Sequence, residues 1–284
     1  MATLGQVVEA LDELYDPRWA ADWDAVGLVC GDPDAPVERV LFAVDPVREV
    51  VAEALEVKAQ LIVAHHPLFL RGVHGVAATT PKGRVAHTLV REGVALQVCH
   101  TNADAADPGV SDALAAALGL TDLRPLDPLP DTPWLGVGRI GVLPRPEPLR
   151  EFRERVAVAL PETAHGVRVA GDPARVIQTV AVCGGAGDSY LDAVRAAGVD
   201  AYVTADLRHH PASEAGQHLD APALLDVSHW ASEWLWLPDA AARLAQLLTT
   251  RGTTVETRVS TICTDPWASH VPSEARRDQG GKSH

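Results

Sequence analysis

Apolar residues Val7, Val8, Leu11 and Leu14 recur at helical spacing behind a Thr3-x-x-Gln6 pair. That pair has the form of a capping box, so the spacing predicts an amphipathic helix that stops before Pro17. The pattern then changes to short, continuous apolar runs: VLFAV (40–44), LIVA (61–64) and ALQVC (95–99). Runs this short and this rich in branched residues read as buried strands. Helical patterns from about Pro46 to Lys58 and from Lys82 to Arg91 separate them. The same grammar returns in TVAVC (179–183), a helix over Ser189–Ala197, AYVTA (201–205) and ALLDV (223–227). Apolar strands alternating with helices predict an α/β fold with a mainly parallel sheet covered on both faces.

Two stretches sharing one plan point to an internal duplication. Between them lies the proline-dense run LRPLDPLPDTPWLG (123–136), expected to continue neither helix nor sheet and to mark the boundary. The expected units are a first half over 1–125, a second half over 126–272 and a polar tail over 273–284 that frays.

The repetition becomes chemical where the strands end. ALQVC leads into His100-Thr-Asn-Ala-Asp104, and ALLDV leads through Ser228 into His229-Trp-Ala-Ser-Glu233. In a helical turn residues i and i+4 share a face, which puts an imidazole and a carboxylate within reach of one ion. LIVA is followed directly by His65-His66. Strand ends in α/β proteins face the ligand crevice, and adjacent side chains there point in opposite directions, toward two different ions. One such pair by itself is better explained by an ion pair on a helix face, but three groups behind three strands favour a metal site. Histidine and carboxylate donors without cysteine suit Zn²⁺, Mn²⁺ or Fe²⁺. Open coordination positions on shared ions make hydrolysis the default chemistry.

Composition narrows the partners. The 284-residue chain is 47% hydrophobic and 22% charged, as expected of a folded globular protein, and contains twelve histidines. Its formal net charge of −14 disfavours nucleic acid as a partner. A small anionic nucleotide is still admissible where bound cations supply local positive potential. No apolar run of about 18 residues predicts a membrane span, and the opening MATLGQVVEALDELY lacks a basic leader, so a cytoplasmic location is expected. Cys30, Cys99, Cys183 and Cys263 are widely spaced and expected to be buried free thiols.

The strings IVAHHPLFLRGV, TPKGRVAHTLVREGVALQVCHTNADAA, VAVCGGAGDSYLDA, VTADLRHH and SHWASE together resemble the GTP cyclohydrolase I type 2 homologue family, also called the Ngg-interacting-factor-like proteins. The resemblance runs from about residue 5 to 268. It implies a duplicated, intertwined three-layer α/β/α fold with a dinuclear metal centre in the cleft between the halves, assembled as a toroidal hexamer. By motif position it assigns His65, His66, Asp104, His229 and Glu233 as ligands of two divalent ions, with Glu233 bridging. His100 falls on a family histidine close to the metals, a sixth ligand or a base beside them. Ala25, Ala205 and Trp230 depart from residues common in the family, and the chain is the short form without a domain inserted between the halves.

The function these features imply is metal-dependent hydrolysis in which metal-bound hydroxide attacks a purine nucleotide, with opening of the GTP ring as the candidate reaction. Phosphoester or nucleotide hydrolysis is the alternative enzyme, and a metal-binding or delivery protein the alternative outside catalysis. Gly184-Gly185-Ala186-Gly187 suits either a phosphate cradle or tight strand-to-helix packing. Asp24 reads equally as a cleft residue or a loop-fixing carboxylate. Asp206, His209 and His210 read as a solvated cleft rim. Trp23, Trp134, Trp230, Trp234 and Trp236 are expected in the core, and His74, His87, His165, His218, His270 and His284 are given no special role.

Overall fold

The capping box forms: the Gln6 amide donates to Thr3 Oγ1 at 3.2 Å and the Thr3 amide to Gln6 Oε1 at 2.9 Å, opening the helix Leu4–Leu14. The structure is a computed structural model and describes residues 1–271; the tail expected at 273–284 lies outside the described residues.

The short apolar runs become the centres of two sheets. In the first, the order is Glu256–Val259, Arg39–Ala43, Leu61–Ala64, Ala95–Val98, Gly27–Cys30; its first four strands are parallel and Gly27–Cys30 is antiparallel. In the second, Val176–Ala186, Ala201–Ala205 and Ala223–Val227 are parallel neighbours. Arg168–Ala170 flanks them antiparallel on one side and the hairpin Thr121–Leu129/Thr132–Pro148 on the other. The parallel reading thus holds for the centre of each sheet, and the flanks are antiparallel.

Alternation along each strand sends apolar side chains to both faces. Val40 and Phe42 pack with the helix Leu4–Leu14, whereas Leu41 and Ala43 pack with the helices Arg48–Glu56 and Pro81–Glu92. In the second sheet Val180 and Val182 meet Phe152 and Val156, while Ala181 and Cys183 meet Leu191 and Val194 on the other side. Helices on both faces of each sheet make the three-layer arrangement.

The duplication extends to single hydrogen bonds. Leu4 and Gly5 donate to the carbonyls of Ala35 and Pro33, as Leu149 and Arg150 do to those of Arg175 and Pro173. Gly31 (φ +139°) faces Leu4 and Ala95, and Gly171 (φ +139°) faces Leu149 and Ala223. The halves are also interleaved. The helix Trp236–Thr250 contributes Trp236, Leu237 and Leu244 to the core of the first half, and Glu256–Val259 joins the first sheet. The buried guanidinium of Arg139, on the second sheet, pairs with Asp112 on the helix Val110–Ala117 at 2.7 Å.

The proline-dense run does not interrupt the sheet as expected. Most of it lies in the hairpin, from Thr121–Leu129 into the start of Thr132–Pro148. Thr121–Leu129, which carries Pro125 and Pro128, is the outermost strand of its sheet, where every second amide faces no partner and proline is tolerated.

Two other expectations change. Cys99 and Cys183 are buried, but Cys30 is half-buried and Cys263 exposed; all four are free. Trp230 and Trp236 are core residues, while Trp23 and Trp134 are exposed and Trp234 is half-buried. Among the described residues, no helix is long and apolar enough to cross a membrane.

Candidate metal centre

His65 and His66 continue the backbone pairing beyond their strand, their amides donating to the carbonyls of Ala43 and Val44 at 3.1 and 2.8 Å. That continuation fixes two successive side chains in different surroundings: His65 is fully buried and His66 reaches a cavity. His100 caps the short helix Thr101–Ala105, and the Asp104 amide donates to the His100 carbonyl at 3.0 Å, so one turn brings the Asp104 carboxylate beneath the cluster. Ser228 caps the helix His229–Trp234, on which His229 and Glu233 lie one turn apart with Nε2 and Oε1 separated by 2.9 Å.

All six residues singled out in the sequence converge. Glu233 is central: its Oε1 lies 3.4 Å from His65 Nε2, and its Oε2 lies 3.1 Å from His66 Nε2. Asp104 Oδ1 is 3.8 Å from His65 Nε2, and the Nε2 atoms of His66 and His229 are 3.3 Å apart. Donor atoms of His65, His66 and His100 form one compact group, and those of His66, His229 and Glu233 another. Ligands about 2.1 Å from a tetrahedral ion stand about 3.4 Å from one another, a value inside the 2.9–3.8 Å range of the separations given above.

The outer ring nitrogens are all anchored. His65 Nδ1 donates to the Cys99 carbonyl at 2.9 Å; a carbonyl only accepts, so Nδ1 carries a proton and Nε2 is the nitrogen left to face inward as a ligand. His66 Nδ1 is 2.7 Å from Asp45, His100 Nδ1 is 2.8 Å from Asp24, and His229 Nδ1 is 2.7 Å from Asp206. Hydrogen-bonding the far nitrogen to a carboxylate or carbonyl is how metal-binding histidines are oriented.

The electrostatics suit a divalent cation. Burial alone would hold His66 and His229 neutral, yet Glu233 together with Asp45 or Asp206 outweighs it and pushes them up to about 10 and about 11. His65 is raised against its burial by Glu233 as well. Burial would raise Glu233, but the surrounding imidazoles hold it well below the usual carboxylate range. Asp104 is raised, chiefly by burial. A buried carboxylate requires compensating positive charge, which divalent ions would supply with the imidazoles neutral. His65 Nε2 and Glu233 Oε2 are buried without a hydrogen-bond partner, as atoms aimed at an ion would be.

Beside the centre opens a cavity of about 690 Å³ lined by His66, His229, Trp230, His165, Arg168 and Trp267 among others. Some of what surrounds the centre was missed or misread in the sequence. Asp24 orients His100 and also accepts from the Thr101 amide and hydroxyl. Asp206 is exposed at the cavity rim, as expected, but it also orients His229, whereas His209 and His210 are exposed on the helix His209–Ala215. Asp45, which holds His66, carried no sequence signal beyond lying just past VLFAV. His165 is not an idle histidine: its Nε2 is 3.1 Å from the buried Asp226 and it lines the cavity. Gly185 and Gly184 run past the side chain of Glu233, which favours close packing over a phosphate cradle for that turn.

The profile of the Duf34/NIF3 (NGG1p interacting factor 3) family matches residues 2–266. A Streptomyces coelicolor protein named GTP cyclohydrolase 1 type 2 homolog is 55% identical over 275 residues, 96% of each chain. A Mycobacterium bovis protein of the same name is 40% identical over an alignment of 384 residues, covering 97% of this chain and 99% of its own. That alignment is longer than this chain, so the mycobacterial protein carries segments absent here. Among solved structures, a Staphylococcus aureus hypothetical protein superposes with a TM-score of 0.87 at 26% identity, covering 94% of this chain and 99% of its own. A Bacillus cereus protein related to NIF3 shares the fold with a TM-score of 0.87 at 23% identity, covering 93% and 98%. Matched over nearly its whole length, the chain belongs to the Duf34/NIF3 family.

Proposed function

We propose that this protein is a metal-dependent hydrolase with a dinuclear centre, acting on a purine nucleotide, with opening of the GTP ring as the candidate reaction. The observation that carries it is the convergence of four Nδ1-anchored imidazoles and two carboxylates on one point beside an open cavity. His65 and Asp104 would hold one divalent ion (Zn²⁺, Mn²⁺ or Fe²⁺), His66 and His229 the other, with Glu233 between them. Such ions supply Lewis acidity and lower the pKa of water. His100, fixed by Asp24 and adjoining His65 and His66, is placed to move a proton at Nε2. His66 and His229 present the centre to the cavity, whose Trp230 and Trp267 offer apolar walls for a planar base.

The purine nucleotide is suggested by the name of the 55% identical relative. The net charge of −14 supports a small molecule over nucleic acid; two divalent ions would offset the carboxylates of this cleft and present positive charge to an anionic substrate. A cytoplasmic homo-oligomer, a toroidal hexamer by family resemblance, completes the reading.

Metal analysis of freshly purified protein, followed by a nucleotide panel with and without chelator, tests it. About two equivalents of divalent metal and chelator-sensitive release of formate with an opened purine are expected. Released phosphate or pyrophosphate would replace the reaction with phosphoester hydrolysis, and metal binding without turnover of any nucleotide would make the protein a metal carrier.

A further inference from the structure

The segment that follows Glu256–Val259 is stitched to both halves of the metal centre. Ser260 extends the strand pairing, its amide donating to the Phe42 carbonyl at 2.8 Å, and its own carbonyl accepts the Trp234 indole N–H at 2.8 Å. Its hydroxyl donates to Glu53 at 2.5 Å. Further on, the Thr264 hydroxyl donates to Asp45 Oδ2, while the other oxygen of Asp45 holds His66 Nδ1 at 2.7 Å. The next residue, Asp265, accepts from the hydroxyl of Ser228, the cap of the helix that carries His229 and Glu233. Adjacent residues of one segment therefore grip a loop leaving the first sheet and a helix following the second.

A carboxylate held through one oxygen can still rotate. A second partner on the other oxygen sets its plane, and with it the ring of the histidine it holds. Thr264 is that second partner for Asp45. Ser228 is in the same position, its Oγ accepting the Ala231 amide at 3.2 Å while donating to Asp265. Pro266, Trp267 and His270 then continue as a wall of the cavity.

We infer that residues 260–265 form a strap that sets the two halves of the metal centre against each other, with Thr264 a positioning residue for His66 and Asp265 one for His229 and Glu233. This rests on reading the six converging residues as a metal centre.

The test is Mn²⁺ and Zn²⁺ affinity of the full chain, measured by competition with a chromophoric chelator, in Thr264→Val and Thr264→Ser. The melting midpoint of each metal-free protein is recorded alongside. Thr264→Val keeps the shape and removes the hydroxyl; losing the group directly behind a ligand costs about 10- to 100-fold, and Thr264 acts one step further out through Asp45, so affinity should fall by about 10-fold. The metal-free midpoint should stay near that of the parent. Thr264→Ser retains the hydroxyl and should restore affinity, which a purely structural role for the segment would not require. Asp265→Ala, which removes the acceptor of the Ser228 hydroxyl, should weaken metal binding in the same way. Parental affinity in Thr264→Val, or equal loss in the valine and serine variants, overturns the strap. If the parent chain itself takes up neither ion, the metal-centre reading fails, a result distinct from variants that match a metal-binding parent.

Discussion

The Glu233 carboxylate lies against the bare Cα of Gly185: a Cβ built there would stand 2.4 Å from Glu233 Oε1 and 3.2 Å from His229 Nε2. Gly185 also has φ +70°, a conformation that costs other residues roughly 1–2 kcal/mol. Two independent demands, close approach and a left-handed backbone, therefore select glycine at this point of the strand.

Gly185→Ala should accordingly displace Glu233 and abolish stoichiometric metal binding while far-ultraviolet circular dichroism stays that of the parent. Metal content by elemental analysis reads the effect. Full occupancy in the alanine variant would show that the carboxylate does not need this space.

Glu233 and Asp104 are the two carboxylates at the centre, and neither is replaceable by a neighbouring one already committed to an imidazole. The double variant Asp104→Ala/Glu233→Ala should fold and bind no stoichiometric metal. Two ions retained in that variant would falsify the ligand assignment.

His100 differs from the other imidazoles in its anchor. Asp24 accepts from its Nδ1 and from both the amide and hydroxyl of Thr101, and these hydrogen bonds, with the His100 charge, hold Asp24 far below the usual carboxylate range against its burial. A proton-transfer role for His100 predicts that His100→Ala keeps both ions but lowers turnover by about 10²- to 10⁴-fold, with Asp24→Asn showing part of that loss. Loss of one metal equivalent in His100→Ala would make it a ligand instead.

Away from the centre, Asp200 joins two strands of the second sheet by accepting from the Gln178 amide and from the amide and hydroxyl of Thr179. Burial would raise its pKa, but those donors outweigh it and the carboxyl is lowered. A depressed folded-state pKa gives stability that is present above the unfolded value, about 3.9, and is lost as pH falls through the folded one. Asp200→Asn should therefore be less stable than the parent by about 2 kcal/mol near neutrality, with the gap closing below about pH 4. Denaturant unfolding at pH 7 and pH 3 checks this; a gap that is constant with pH excludes the charge as its source.

The order of elements and the site motifs were legible along the chain because each rests on local chemistry. The Thr3/Gln6 box, the apolar runs ending at His65, at His100 and before His229, and the i,i+4 spacing of His229 and Glu233 need only neighbouring residues to be recognised. The proline-dense hairpin was misread because whether proline is tolerated in a strand depends on whether that strand lies at an edge, which is decided by pairing partners far away in sequence. The same reason hid Asp45 and Thr264, whose roles exist only once residues 219 apart in the chain meet through a hydrogen bond. Sequence by itself determined the duplicated α/β plan and the six residues that converge. Tertiary structure alone decided their convergence on Glu233, the carboxylates that aim them and the return of the chain across both halves, because ion spacing and hydrogen-bond direction are properties of three-dimensional separation, not of order along the chain.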